Sequence, residues 1–257
     1  MKFNIKAFFI SHILLVFLVF FNACGEKATL ENISIAEGAR VKFIDAVPSA
    51  PAVVVYANGK KFTAVNNTVA YGSDSIVYGG IYPATDFATL DQGTIKFTAK
   101  LPLSANPRDT TIATLDAPLE NGKFYLLIAG DTLPSPKFTI VPEQRGVIKN
   151  DKKMYVRIVN AISATPATGY EVLIRRAGVS TLVATMKGGE VTPFGEYDPL
   201  ISGNDSLYVR AVGSTTNISA VSLGALGANR NYTAVLRGIG VNTTGTRVIT
   251  STTYRVN

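Results

Sequence analysis

The residue types that most often perform catalysis or bind transition metals are almost absent from this chain. Its 257 residues include one histidine, His12, and one cysteine, Cys24, and both lie among the first 24 positions. A serine–histidine–acid triad, a cysteine–histidine pair and the usual zinc sites all need His or Cys side chains. These designs are therefore excluded from residues 25–257.

Aspartate pairs are the remaining candidates for acid–base chemistry. Asp86 and Asp91 flank an expected loop, and Asp109 and Asp116 flank an expected strand. A glycosidase needs one carboxyl group with a raised pKa, and neither pair has a sequence feature that would raise one. After residue 23 there is no Ser-x-x-Lys motif and no glycine-rich phosphate motif, and no segment has the acid count of a calcium loop. We therefore expect no catalysis, no cofactor and no metal.

Aromatic and basic side chains are the candidates for ligand binding. Tyr71, Tyr78 and Tyr82 lie close together near an expected turn, and aromatic faces stack on sugars. Arg175 and Arg176 lie at an expected hairpin, where they could contact anionic glycans or lipid headgroups. The alternative is that the tyrosines belong to the core and rim of a sandwich, and that the arginines protect a strand edge.

The N-terminus has the composition of an export signal. Lys2 and Lys6 provide a basic start, and residues 7–21 are apolar at all but two positions. This run of about 15 residues is shorter than the roughly 20 that a membrane-spanning helix needs. We therefore expect residues 1–23 to be a signal peptide that is removed on export. A short membrane anchor that stays attached is the alternative.

The end of this apolar run, Phe21-Asn22-Ala23-Cys24-Gly25, resembles the lipobox of bacterial lipoproteins. A small residue stands before the cysteine, although position 21 is Phe where Leu is usual. The resemblance implies that the Cys24 thiol is diacylated, that the chain is cut before Cys24, and that the new amino group is acylated, with palmitate among the acyl groups. Several acyl chains on one residue hold a protein stably on a membrane.

The expected location follows from this anchor. We expect the mature protein in the cell envelope, on the outer membrane, with membrane lipid as the partner of acylated Cys24 and with residues 24–38 as a polar tether. The removed segment holds two lysines and no acid, so the net charge falls from +7 to +5. Nucleic acid is not an expected partner, because no known binding motif for it occurs in the chain.

From residue 39 onward the sequence has the pattern of β-strands. Apolar residues alternate with threonines and lysines from Thr94 to Leu101, and the run from Ser206 to Val212 behaves similarly. An alternation of period two indicates a strand with one buried face. The pair Asn58-Gly59 favours a tight hairpin, because both residue types tolerate a positive φ. No long segment has helical periodicity, so the chain is predicted to be a sandwich or barrel.

The chain also contains an internal repeat. The segment VKFIDAVPSAPA at 41–52 aligns without gaps on VRIVNAISATPA at 156–167, with identical residues at four positions. A second match follows in the same order, because Tyr125 and Tyr232 each stand six residues after a leucine and before an apolar run that ends in glycine. A repeat of this length is a whole domain rather than a solenoid unit.

The opening of the first repeat carries a family resemblance. The segment ARVKFIDAVPSAPAVVVYANGKK is similar to the start of the domain-of-unknown-function family DUF4397. Its members begin with a strand, an Ala-x-Pro-x-Ala-Pro turn, a valine-rich strand ending in tyrosine and an Asn-Gly hairpin. The matching positions are Ala46, Pro48, Ala50, Pro51, Tyr56, Asn58 and Gly59. Val54 stands where the family often has an acidic residue, and the second unit lacks the Asn-Gly pair.

The resemblance implies two tandem Ig-like antiparallel β-sandwich domains in an envelope protein of the Bacteroidota, with no established activity. We place domain 1 at residues 39–146 and domain 2 at residues 153–257, with a polar linker between them. The expected function is a lipid-anchored, non-catalytic envelope protein that binds a glycan or a partner protein, or acts as a scaffold. The alternatives are a structural spacer or adhesin without a ligand site and a carbohydrate-active enzyme.

Four short motifs resemble the O-glycosylation signal of the Bacteroidota, which is Asp, then Ser or Thr, then a residue such as Ile, Leu, Val, Ala, Met or Thr. The candidate acceptors are Ser75, Thr110, Thr132 and Ser206. Each follows an aspartate at an expected turn, where a sugar can be accommodated. The alternative is that Asp-Ser and Asp-Thr pairs begin strands after turns and carry no glycan.

Overall fold

The computed structural model describes residues 37–63, 75–103, 105, 109–144, 148–200, 206–240 and 247–256. Every regular element in these ranges is a β-strand, which confirms the all-β prediction. In the same ranges no helix is long and apolar enough to cross a membrane. The expected signal peptide, Cys24 and most of the expected tether lie outside the described residues and stay predictions.

The strands fall into two sets, which we call the first half and the second half. The strands of the first half are β1 (Ala39–Asp45), β2 (Val54–Ala57), β3 (Lys60–Lys61), β4 (Ile81–Tyr82), β5 (Ala88–Leu90), β6 (Gly93–Lys100), β7 (Thr111–Leu119), β8 (Phe124–Gly130) and β9 (Lys137–Glu143). The strands of the second half are β10 (Met154–Ser163), β11 (Tyr170–Arg176), β12 (Val179–Met186), β13 (Gly195–Tyr197), β14 (Ser206–Ala211), β15 (Asn217–Ser222), β16 (Arg230–Ile239) and β17 (Thr250–Val256).

The first half is built from two sheets with an apolar core between them. One sheet has the order β4-β1-β8-β9, with β5 also paired to β1, and the other has the order β3-β2-β6-β7. In β6 the side chains of Ile95, Phe97 and Ala99 are buried at alternate positions, as its sequence pattern predicts. Asn58 and Gly59 join β2 to β3 with φ values of 48° and 75°, which confirms the predicted hairpin.

The second half has the same plan. Its sheets have the orders β13-β10-β16-β17 and β12-β11-β14-β15, and they enclose a separate core. Strand β14 alternates as expected, with Leu207 and Val209 buried. The predicted β-sandwich fold is therefore confirmed, whereas its assignment to the Ig-like class stays a prediction.

One strand pair in each half is parallel, although we expected antiparallel sheets throughout. Strand β1 runs parallel to β8, and β10 runs parallel to β16. In each half the chain between the two parallel strands forms the opposite sheet and one or two short strands beside the first strand, and it then returns next to that first strand in the same direction. Parallel strands need such a crossover connection, and they usually have both faces covered. Strand β8 fits this rule, because the consecutive residues Leu126, Leu127 and Ile128 are all buried.

The sequence repeat corresponds to a repeat of local structure. Tyr125 of β8 and Tyr232 of β16 pair with equivalent positions of β1 and β10. Each tyrosine hydroxyl accepts a backbone N–H from five residues earlier, donated by Glu120 at 3.1 Å and by Gly227 at 3.0 Å. A tyrosine that bonds back to the upstream backbone is a feature of Ig sandwiches.

The two halves pack on each other through their parallel-containing sheets. The apolar side chains that meet between them are Ile44, Ala46, Leu126, Ile128, Val141, Val159, Val235, Tyr254 and Val256. One face of each sheet lies on the core of its own half, and the other face lies on the opposite half. This double burial explains why β1, β8, β10 and β16 are buried at most consecutive positions instead of at alternate ones.

Two cations lie on these buried sheets at equivalent positions. The ammonium of Lys42 donates to the carbonyl oxygens of Pro83 at 2.7 Å and Asp86 at 2.5 Å. Burial lowers the pKa of Lys42 to about 8, against the opposing charges of Asp86 and Glu143. Arg157 is the matching residue of the second half, and each cation lies over a ring, Lys42 over Phe87 at 4.9 Å and Arg157 over Phe194 at 5.4 Å.

A buried ion pair crosses between the halves. Glu143 Oε1, at the end of β9, lies 2.6 Å from the Arg157 guanidinium on β10, with side-chain exposures of 0% and 5%. Thr233 and Tyr254 of the second half donate their hydroxyls to the same carboxylate. Burial raises the pKa of Glu143, and the charge of Arg157 opposes that shift. The expected domain boundary thus falls beside residues that join the halves, and the two predicted domains stay a prediction.

This ion pair leads to a test of how firmly the halves are joined. Arg157→Met should lower the free energy of unfolding by about 3–5 kcal/mol, because it leaves the Glu143 carboxylate buried without a cation. The double variant Arg157→Met/Glu143→Gln should recover most of that loss, since no carboxylate is then buried without its guanidinium partner. Urea unfolding followed by circular dichroism measures both values. Exposed Lys149→Met is the control, and an equal cost for Arg157→Met and Lys149→Met would contradict the assignment.

Candidate functional site

The tyrosines proposed as a binding platform make contacts within the protein. Tyr78 is half-buried with its ring under the guanidinium of Arg237, at 4.5 Å from the ring centroid. The ring of Tyr82 packs edge-on against Phe62, with centroids 5.5 Å apart. Tyr71 lies outside the described residues. Because Tyr78 and Tyr82 pack on different partners, the structure does not bring them together as one exposed face, and their role in ligand binding stays a prediction.

The predicted basic pair also has partners within the second half. The guanidinium of Arg175 lies over the ring of Tyr208 at 5.3 Å. Arg176 donates to the backbone carbonyls of Asp198 and Pro199, at 2.9 Å each. Both arginines lie at the end of β11 beside the β11–β12 turn, as the sequence predicts. Contact with an anionic ligand at this point stays a prediction.

The four candidate glycosylation sites differ in exposure. Thr110 is exposed, Thr132 and Ser206 are partly exposed, and Ser75 is buried at 3% exposure. A glycan on Ser75 would therefore be incompatible with the buried position that this side chain has here. Modification at all four positions stays a prediction.

Two equivalent turns, one in each half, lead to a site that sequence reasoning did not identify. Asp45 ends β1, and Asn160 is its counterpart in β10. Each accepts a backbone N–H two residues ahead with its side-chain Oδ1, from Val47 at 2.9 Å and from Ile162 at 3.0 Å. The backbone carbonyl of each also accepts an N–H from a glycine, Gly79 or Gly189, at 2.7 Å. These matched bonds align the turn at 77–80 with the turn at 187–190.

The side chains at the two turns differ in how they can donate a hydrogen bond: the Asn160 amide always has a donor, whereas the Asp45 carboxyl has one only when it is protonated. The Asn160 amide donates to the carbonyls of Met186 at 3.2 Å and Lys187 at 3.1 Å. An ionised carboxylate cannot donate, and Asp45 Oδ2 is buried without a hydrogen-bond partner in the described chain. Complete burial raises the pKa of Asp45 to about 8, with the Val47 N–H and Arg237 opposing the shift. A protonated Asp45 carries an O–H donor on its carboxyl group, as Asn160 carries N–H donors on its amide.

Arg237 of β16 fills the space between the halves at the first turn. Its Nε donates to the hydroxyl of Thr252 on β17 at 2.8 Å, and its guanidinium lies over the Tyr78 ring. The Thr252 hydroxyl in turn donates to the carbonyl of Gly79 at 2.9 Å. Side chains of the second half therefore close the gap to the Tyr78–Gly79 turn of the first half.

At the equivalent place on the other side this gap is open. The strand registers make Gly130 the counterpart of Arg237 and Thr139 the counterpart of Thr252. The matched turns make Gly188 the counterpart of Tyr78. Two large side chains are therefore replaced by two glycines, and a cleft of about 440 Å³ lies between the halves there, lined by Gly130, Gly188 and Thr139 among others.

The two glycines are not required by the backbone. Neither Gly130 nor Gly188 has a positive φ. A Cβ added at Gly130 would meet no atom within 4 Å, and one at Gly188 would meet only Thr165, at an ordinary contact distance of 3.6 Å. The fold therefore accepts side chains at both positions, and the open cleft is a consequence of residue choice.

Several polar groups of the cleft lack partners. Lys137 and Thr139 of β9 make no side-chain hydrogen bond or ion pair within the described chain, and Asp131 accepts only the N–H of Thr132, at 3.0 Å. Ser163, another lining residue, has a buried hydroxyl with no partner among the described residues. Apolar Ile128 and Val159 complete the walls. An apolar cavity with a few free polar groups is the usual form of a small-ligand site.

The matched turns give a test of the proton on Asp45. Its pKa is raised from 3.8 to about 8 on folding, so the native state binds a proton that the unfolded state releases between these pH values. Stability should therefore fall as the pH rises from about 4 to 8, by up to about 1.4 kcal/mol per pH unit. Asp45→Asn should remove the contribution of this residue to the fall and keep full stability at pH 5.

Urea unfolding at pH 5 and pH 8.5 measures the effect. Exposed Asp116→Asn serves as the control, and it should keep the pH dependence of the parent chain. A large loss of stability in Asp45→Asn at pH 5, or an unchanged pH dependence, would show that the Asp45 carboxyl does not take the place of the Asn160 amide.

Comparison with known proteins gives few matches that bear on function. No curated protein matches the chain. Among solved structures, it is similar to a "putative cell adhesion protein" of Bacteroides uniformis, at 12% identity and a TM-score of 0.26, over 84% of this chain and 97% of the other. A protein of Bacteroides ovatus with the same description matches at 10% identity and a TM-score of 0.25, over 86% and 96% of the two chains. Scores this far below 0.5 carry no weight for fold or function.

The family comparison is more informative. The model described as "Domain of unknown function (DUF4397)" matches residues 39–171, which is more than half of the chain. The match begins at the first residue of β1 and ends inside β11, so it covers the whole first half and the opening of the second. A second tandem copy of the family domain stays a prediction. The chain belongs to the DUF4397 family.

Proposed function

We propose that this protein is a lipid-anchored, non-catalytic component of the cell envelope that binds a small polar ligand in the cleft between its halves. The observation that carries the proposal is the contrast between two equivalent places in the structure. One is closed by Arg237 and Tyr78, and the other is open because Gly130 and Gly188 stand there. Free polar groups at the open place favour binding.

The lipid anchor is supported by the sequence alone. The apolar run ends at Cys24, the only cysteine in the chain, and acylation at that residue would hold the folded halves beside a membrane through a short tether. The outer membrane is the location we propose, with an envelope glycan or a partner protein as the source of the ligand.

Two alternatives make different claims about the cleft. A structural spacer or adhesin would use the joined halves only as a rigid body, so filling the cleft would change nothing. A carbohydrate-active enzyme would need two facing carboxyl groups, and Asp131 is the one acidic side chain among the cleft-lining residues that the structure describes. Binding without chemistry therefore agrees best with the groups that line the cleft.

The anchor is tested by Cys24→Ala in the full chain. We expect the variant to move from the membrane fraction to a soluble or unprocessed form, because no acyl chains can be attached. Fractionation after washes with salt and carbonate, followed by intact-mass measurement, checks this. If the Cys24→Ala variant still fractionates with washed membranes, the lipidation of Cys24 is contradicted. The matched control is Ser34→Ala in the tether.

The cleft is tested by Gly188→Tyr, which restores the ring that its counterpart Tyr78 supplies. Incubation of the full chain with a soluble extract of the host envelope should slow hydrogen exchange in the segments at 128–139 and 160–165. We expect Gly188→Tyr to lose this protection and the matched control Gly188→Ala to keep it, with unfolding free energies unchanged. Equal protection in both variants would favour the spacer or adhesin.

A further inference from the structure

We infer that the cleft binds a peptide that supplies a guanidinium group and an aromatic ring, the two groups that Arg237 and Tyr78 supply at the equivalent place. This inference rests on the proposed function, because it names the ligand chemistry of the same cleft. At the closed place, walls of this shape surround a guanidinium group stacked on a phenol ring, with 4.5 Å between the guanidinium carbon and the ring centroid.

Two polar residues in the walls of the closed place have polar counterparts in the cleft. Thr252 accepts the Arg237 Nε–H at the closed place, and Thr139 presents the same hydroxyl at the open one. Asn160 stands where Asp45 stands, and the two make the same turn bonds. A guanidinium entering the cleft would therefore meet an acceptor at the position where Arg237 finds one.

The cleft also has charges that the closed place lacks. Asp131 lies directly after Gly130, and its carboxylate uses one oxygen for the Thr132 N–H. A carboxylate has about four lone-pair positions, so it can still accept a guanidinium in a charge-assisted hydrogen bond. Lys137, across the hairpin from Gly130, offers donors to a peptide carbonyl oxygen. A cationic side chain that pairs with Asp131, with a main-chain carbonyl oxygen directed at Lys137, matches this arrangement.

Available space agrees with this occupant. The side chains missing relative to the closed place are one arginine and one tyrosine, and the remaining cleft of about 440 Å³ opens to solvent. Cβ atoms at Gly130 and Gly188 have room, so the groups that a peptide would bring can also be supplied from within the chain. Such filled variants should compete with the ligand.

The test uses N-acetyl-tyrosyl-arginine amide as the probe and the full chain in detergent. Saturation-transfer NMR should show contact from both the tyrosine ring and the arginine methylenes, and calorimetric titration should give the affinity. Gly130→Arg and Gly188→Tyr should each weaken binding at least about tenfold, because each supplies one partner of the cation–π pair internally. Gly130→Ala and Gly188→Ala are the matched controls and should bind as the parent chain does.

A second probe, N-acetyl-tyrosyl-glutamine amide, removes only the guanidinium and should also bind at least about tenfold more weakly. Three outcomes would overturn the inference. They are equal affinity for both probes, unchanged binding in the filled variants, and binding of a monosaccharide without binding of the dipeptide. If the dipeptide does not bind, while the envelope extract still slows hydrogen exchange at the cleft in the parent chain and not in Gly188→Tyr, only the proposed ligand chemistry is wrong. If the dipeptide does not bind and the extract gives no such protection either, the proposed function is wrong as well.

Discussion

The buried pairing of Glu143 with Arg157 constrains how the two halves can meet. Each charge would be very costly in an apolar interface without the other, so the sheets that carry them must meet in a register that keeps the two atoms 2.6 Å apart. The apolar side chains around the pair then cover the second face of both sheets. Because the cleft takes one wall from each half, its shape depends on the same contact.

The halves repeat a scaffold and differ in the side chains placed on it. Asp45 and Asn160 make the same turn, one with a carboxyl group that burial keeps protonated and one with an amide. Here the substitution preserves the chemistry, because both groups accept one bond and can donate another. The difference between Arg237 and its counterpart Gly130 does not preserve the chemistry. Glycine leaves space where a guanidinium group would close the gap. A repeated framework with different side chains therefore has a closed joint on one side and an open cleft on the other.

Local patterns in the sequence predicted the strands and turns well. The alternation in β6 and β14 and the Asn58-Gly59 hairpin depend on residues close together in the chain, and all three are present. The mixed sheets were not predicted, since the direction in which β8 returns beside β1 is a long-range property. The contact between Tyr78 and Arg237 was not predicted for a similar reason, because the two residues meet across the interface between the halves. The repeat was visible, but only the strand registers extend the alignment to Gly130 and Gly188.

The sequence by itself determined that the chain has neither histidine nor cysteine after residue 24, that it consists of short strands, and that its opening segment is that of the DUF4397 family. These properties are carried by composition, by period-two alternation and by a contiguous motif. The tertiary structure alone decided which faces are covered twice, which cations are buried and where the chain leaves a cleft. Those outcomes depend on side chains that are far apart in sequence, such as Glu143 and Tyr254 or Gly130 and Gly188, and their contacts exist only once the two halves have packed together.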